Sequence, residues 1–292
     1  MFRLLAFMFI ALAAVPGAAQ RPAFTSERIG VTVVGSGPDV VLIPGLSSEP
    51  QVWQSTIAAV PGYRYHLIHV SGFAGRPAGA NASGPVLIPV GEEIARYIRE
   101  ARLDRPAVVG HSMGGSWAML VAGRNPGLVG KVMVVDMMPF LGAMFGGPTA
   151  TAESLRPVAE QIRTMLGSAS GDMRRQQIEQ TIAGMVRTEG LRPGVVAQSL
   201  ASDPAVAAQG FYDLIVTDLR PDLANIRVPL TVLWVRPPAA PISEEQMAQF
   251  YQLSYSGVPG AVIRRIPDSY HFIMFDQPEV FQRELRTFLA GS

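Results

Sequence analysis

Residues 105–125 read RPAVVGHSMGGSWAMLVAGRN, and this stretch decides the fold. Residues 106–109 are a short apolar run between a proline and a glycine, the composition of a strand buried on both faces. Residues 113–123 then repeat apolar side chains at helical spacing, with Asn125-Pro126 as a stop. Between them lies Gly110-His111-Ser112-Met113-Gly114, a G-x-S-x-G pattern in the strand-to-helix setting that it requires. A serine on so sharp a turn is held in a strained conformation, and the flanking glycines let chain approach without a Cβ clash. The helix that follows aims its free N–H groups and the positive end of its dipole at the same point. Ser112 is therefore the candidate nucleophile, and the N–H of Met113 a candidate oxyanion donor.

Upstream, residues 27–34 (ERIGVTVV) and 39–43 flank a Gly-Ser-Gly-Pro turn and predict a hairpin. Residues 51–60 predict a short amphipathic helix, 63–70 a strand, and 90–102 a helix after a Gly/Ala/Pro loop. Downstream, 131–135 is another buried strand, stopping at Asp136. Residues 138–225 hold helical and loop segments, among them 152–166, 172–188 and 205–219, and read as an inserted cap or lid. The sheet resumes at 230–235; a helix capped by Ser243 covers 243–255, a last strand 261–266 and a closing helix 278–289. Strands alternating with helices predict an α/β fold. Its sheet is mostly parallel and doubly wound, with the site at the carboxyl ends of the strands. The core then comprises residues 20–137 and 226–292, and the cap 138–225.

Composition narrows the partners. Residues 1–19 combine Arg3, an apolar run over 4–15 and small residues before Gln20, the pattern of a secretory signal cleaved near Ala19. That run is too short to span a bilayer comfortably, so the expectation is an exported protein, periplasmic or secreted, without stable membrane insertion. The chain has 24 basic and 23 acidic residues; loss of Arg3 leaves 23 of each, without the basic excess that a nucleic-acid partner calls for. With no cysteine, disulfides, thiol catalysis and cysteine metal sites are excluded. The four histidines show no H-E-x-x-H spacing, and neither metal nor cofactor is expected. His66 and His69 fall in a strand pattern and read as packing or surface residues, His111 as packing under the turn, and Trp53 and Trp117 as core.

Four motifs occur in a telling order: LIPGL at 42–46, SGFAG at 71–75, GHSMGG at 110–115 and YHFIMFDQPEVFQRELRTFL at 270–289. On these the mature chain resembles the α/β-hydrolase superfamily over nearly its whole length. The resemblance implies the α/β-hydrolase fold and places a general base, His271, in the loop before the last helix. Serine is a weak nucleophile that needs such a base, and the base needs an anion to fix its tautomer. The commonest family arrangement puts that acid a few residues past the strand after the cap. Here that stretch is Trp234-Val235-Arg236-Pro237-Pro238-Ala239-Ala240-Pro241, with no carboxylate. Some members take the acid from the end of the strand after the nucleophile strand, which implies Asp136; Asp268, Glu244 or no acid at all stay open. Asp276 reads as a cap of the last helix.

The second oxyanion donor implied by the resemblance is the N–H of Leu46, beside Gly45. Met137, Met138, Phe140, Leu141, Met144 and Phe145 gather after Asp136 and, with Phe73, are candidates for an adaptable apolar pocket, or for packing the cap onto the core. Together these features imply a serine hydrolase that cleaves a small apolar substrate, an uncharged carboxylic ester or lactone, through an acyl-enzyme on Ser112. Amide or carbon–carbon cleavage, cofactor-free perhydrolysis and a ligand-binding protein of low turnover are the alternatives.

Overall fold

The computed structural model describes residues 24–147, 149–236, 240 and 242–291, so the expected signal segment lies outside the described residues. Seven strands form one sheet: β1 (Ile29–Gly35), β2 (Asp39–Ile43), β3 (Arg64–Val70), β4 (Ala107–His111), β5 (Lys131–Val135), β6 (Leu230–Trp234) and β7 (Val262–Arg265). Their order is β1-β3-β2-β4-β5-β6-β7, with the Ser112 strand β4 at the centre. β1 runs antiparallel to β3, and every other pair is parallel.

The hairpin expected over residues 27–43 does not form. β3 lies between β1 and β2, with Ile29 opposite Val70 and Asp39 opposite Arg64. The physical reason is burial. β2 is apolar on both faces and takes a neighbour at each edge, whereas β1 beyond Ile29 is half-buried or exposed and suits the rim of the sheet.

Side chains alternate across these strands, so β2 sends Val41 and Ile43 to one face and Val40 and Leu42 to the other. Helices α2 (Leu87–Glu100), α3 (Met113–Arg124) and α10 (Glu244–Ser254) cover the first face. The short α1 (Gln54–Ala59), entered through a 3₁₀ turn at Pro50–Trp53, and the closing α12 (Pro278–Ala290) cover the second. Trp53 stacks on Phe281 there, 6.0 Å between rings. Because β3 and β4 flank β2 on opposite sides, the winding reverses at β2, and the carboxyl ends of β2 and β4 open a crevice.

Between β5 and β6 the chain forms α4 (Ala143–Gly146), α5 (Ala152–Ser168), α6 (Gly171–Met185), α7 (Arg192–Ala201), α8 (Pro204–Val216) and α9 (Arg220–Leu223). Helix α5 packs along α8, and α6 along α7, a helix that the apolar spacing did not announce. Asp213 on α8 reaches the core: its Oδ2 accepts the N–H groups of Val86 and Leu87 at the start of α2, at 2.6 and 2.9 Å. Ser243 caps α10 as expected, accepting from the Gln246 N–H while the Gln246 side chain accepts from the Ser243 N–H. Asp276 does not cap α12. It ends the short α11 (Ile273–Asp276) and accepts three other N–H groups, those of Arg187, Thr188 and Tyr270, at 2.8–3.0 Å. Among the described residues no helix is long and apolar enough to cross a membrane.

Candidate active site

Ser112 sits between β4 and α3 at φ 53°, ψ −126°, a left-handed conformation that costs a non-glycine residue about 1–3 kcal/mol. Its N–H donates to the carbonyl of Val135, and its own carbonyl accepts from Gly115, which pins the turn from both sides. A Cβ on Gly110 would lie 2.0 Å from the Gly114 carbonyl oxygen, and one on Gly114 only 2.2 Å from that of Ile43. Both glycines of the motif are therefore sterically required. The loop after β2 closes on the same point: a Cβ at Gly45 would come within 2.9 Å of the Ser112 Cβ.

Asp136 follows β5 directly and also takes a positive φ, 53°, with its N–H bonded to the Leu233 carbonyl at 2.7 Å. Its carboxylate is buried and fully engaged. Oδ2 accepts from His271 Nδ1 at 2.6 Å, while Oδ1 accepts from the Val235 N–H at 3.0 Å and the Tyr251 hydroxyl at 3.1 Å. Thus the stretch after β6 that lacks a carboxylate supplies a backbone donor to the acid of the neighbouring strand. Tyr251 stacks on Trp234 with 5.0 Å between rings, and burial together with the Asp136 charge holds its hydroxyl pKa well above the usual value. It therefore remains a donor at any pH where the chain works. Tyr255, one turn later, donates to the Met137 carbonyl at 2.6 Å.

The His271 loop is held at three places. Tyr270 donates its N–H to Asp276, the Phe272 N–H donates to Met185 at the end of α6, and the His271 carbonyl accepts from His111 Nε2 at 3.0 Å. Only an N–H can donate to a carbonyl, so His111 carries its proton on Nε2. Complete burial, and secondly the neighbouring His271, push the His111 pKa far down, so that ring stays neutral. The His111 ring packs 4.7 Å from both the His271 and Phe272 rings. His111 was expected only to pack under the turn; it also ties the nucleophile turn to the loop that carries His271.

Ser112, His271 and Asp136 line a single cavity of about 670 Å³ together with Gly45 and Leu46. Met137 and Met144 line it as well. Phe73 and Phe140 do not: Phe73 is buried against Trp117, and Phe140 packs with Leu155 and Ile215 under the cap. Phe73 was a candidate for the pocket edge and is core; Phe140 follows the packing alternative. Met113 is buried at the first turn of α3. Asp268 has a 74% exposed side chain near Arg187, and Glu244 pairs with Arg265; neither hydrogen-bonds to His271. Tyr251 and His111 are the site residues that sequence reasoning assigned no such part. No local pattern marks either, because both act on residues more than a hundred positions away: Tyr251 on Asp136 and His111 on His271.

The chain is similar to several known proteins. Two bacterial proteins named pimeloyl-(acyl-carrier protein) methyl ester esterase are similar. The one from Vibrio atlanticus is 27% identical over 228 residues, 72% of this chain and 80% of the relative. The one from Pectobacterium carotovorum is 28% identical over 204 residues, 67% of this chain and 74% of the relative. Among solved structures, a hydrolase from Pseudomonas aeruginosa superposes with a TM-score of 0.73 at 18% identity, covering 90% of this chain and 94% of that one. The sequence pattern of the Alpha/beta hydrolase family matches residues 40–284, and the chain belongs to that family.

Proposed function

We propose that this chain hydrolyses uncharged carboxylic esters or lactones through an acyl-enzyme on Ser112. The observation that carries the reading is the 2.6 Å hydrogen bond from His271 Nδ1 to a carboxylate whose other oxygen is doubly held, in the cavity that Ser112 lines. With the proton on Nδ1, the Nε2 lone pair of His271 is available to take the Ser112 hydroxyl proton as Oγ attacks the ester carbonyl. The N–H groups of Leu46 and Met113 stabilise the tetrahedral oxygen. Protonated His271 then gives its proton to the departing alcohol. In the second half a water attacks the acyl carbonyl, His271 takes the water's proton, and the carboxylic acid leaves as Ser112 is reprotonated. Asp136 stabilises the imidazolium in both halves without itself taking the proton.

Ester chemistry is the named activity of the two bacterial relatives, which supports an ester substrate here. The Asp136–His271 hydrogen bond supports an acid for the base despite the missing carboxylate after Trp234, the feature that kept a ligand-binding protein of low turnover open. If residues 1–19 are removed on export, the protein acts in the periplasm or outside the cell. Ser112→Ala tests the reading: p-nitrophenyl ester turnover and labelling of the chain by a fluorophosphonate are both expected to vanish in a folded protein. Turnover at the wild-type rate in that variant would remove Ser112 from the chemistry.

A further inference from the structure

The cavity is much larger than an acetyl group needs. At about 30 Å³ for each water-sized group, 670 Å³ has room for about twenty. Most of its cap wall is apolar: Ile162, Met165 and Leu166 on α5; Ile178, Ile182 and Met185 on α6; Val195 on α7; Phe211 and Leu214 on α8, with Gln177, Thr181 and Ser199 as polar neighbours. Thioethers and branched aliphatics at helical spacing make these faces a conformable apolar wall.

Two further observations say what fills it. Met144, Phe145 and Met165 line the cavity and are also 44%, 45% and 53% exposed, so they form an apolar rim to it. An apolar rim left in water is unfavourable unless something apolar covers it. The charges in the wall are already engaged. Asp136 holds His271, and Arg174, the one Lys or Arg among the lining residues, donates through both terminal nitrogens to the carbonyls of Ser199, Leu200 and Ser202. Among the described residues, no lining cation is placed to meet a carboxylate at the far end of a chain.

Resting on the acyl-enzyme reading above, we infer that the substrate is an ester of an uncharged, extended aliphatic acid, with a chain long enough to reach from Ser112 to that rim. Its chain lies beneath α5, α6 and α8 and passes out over the rim at Met144, Phe145 and Met165. Burial of one methylene favours the bound transition state by about fourfold, so three buried methylenes give about sixtyfold.

The experiment is a series of p-nitrophenyl esters from acetate to decanoate on the mature protein. It is accompanied by methyl decanoate and the monomethyl ester of decanedioic acid. From acetate to decanoate, kcat/KM is expected to rise at least about thirtyfold, and methyl decanoate to exceed the half-ester at least about tenfold. Met165→Glu and, separately, Met144→Glu place a charge on the exposed rim, where the fold tolerates it. Each is expected to lower the decanoate-to-acetate ratio of kcat/KM at least about fivefold. A ratio that is flat or falling with chain length, or a half-ester used as well as methyl decanoate, overturns the inference while leaving the acyl-enzyme reading intact. Loss of all ester turnover together with no fluorophosphonate labelling would instead defeat the acyl-enzyme reading, and this inference with it.

Discussion

The Asp136 carboxylate accepts from three donors, and only one of them is the proposed base. The Val235 N–H is main chain and cannot be removed by a side-chain change, but the Tyr251 hydroxyl can. That hydroxyl helps to fix the carboxylate that faces His271. In Tyr251→Phe, looser positioning of the carboxylate is expected to lower kcat/KM for p-nitrophenyl esters by about five- to tenfold. A wild-type kcat/KM in the folded variant would leave Tyr251 a packing residue. Ser112 was legible as a candidate because the turn it sits on has a physical reason, whereas His271 was reached through the resemblance. Asp136 was reached only through the resemblance and the empty stretch after Trp234, and Tyr251 not at all, since its contact with Asp136 joins residues 115 positions apart.

At the scale of elements, the helices that read correctly are those whose apolar faces repeat in register, such as α3, α5 and α12. Helix α7 was missed because it begins at Arg192-Pro193-Gly194, residues that mark a break when read without their neighbours. Its Pro193 occupies the first turn, where no N–H is needed. The hairpin was misread because adjacency in sequence gave no sign that β3 would enter between β1 and β2. One contact between elements carries a pH signature. The Asp213 carboxyl on α8 is buried, and burial raises its pKa despite the N–H groups of Leu87 and Val86 that favour the charged form. The folded chain thus holds this proton more tightly than the unfolded chain does, and stability linked to Asp213 falls as pH rises from the ordinary carboxylate range through the raised value. Asp213→Asn keeps an oxygen for the two N–H groups and has no charge to bury. In urea unfolding it should gain on the wild type as pH rises through that window; a constant difference would refute the linkage. Asp213→Ala leaves the start of α2 uncapped and is expected to lower Tm by about 2–6 °C.

For the whole molecule, the sheet supplies a rigid edge and the cap supplies volume, and the cavity exists only where they meet. The alternation of strand and helix made the sheet readable, because each buried strand must find covered neighbours. A cavity has no such signature: Met137 and Met144 face it while Phe140, in the same run, packs with Leu155 and Ile215. Which residues face the void depends on how α5 and α8 lie on the core, and no local periodicity encodes that. The same dependence makes an acyl chain a link between the two parts, since methylenes beneath α5, α6 and α8 would touch cap and core at once. A decylphosphonyl adduct on Ser112 is therefore expected to melt at least about 3 °C above the ethylphosphonyl adduct, as an added 1 kcal/mol raises the Tm of a chain this size by a few degrees. Both adducts carry the same bond to the same oxygen, so the difference reports only where the chain lies. Equal melting temperatures would put the longer chain in solvent.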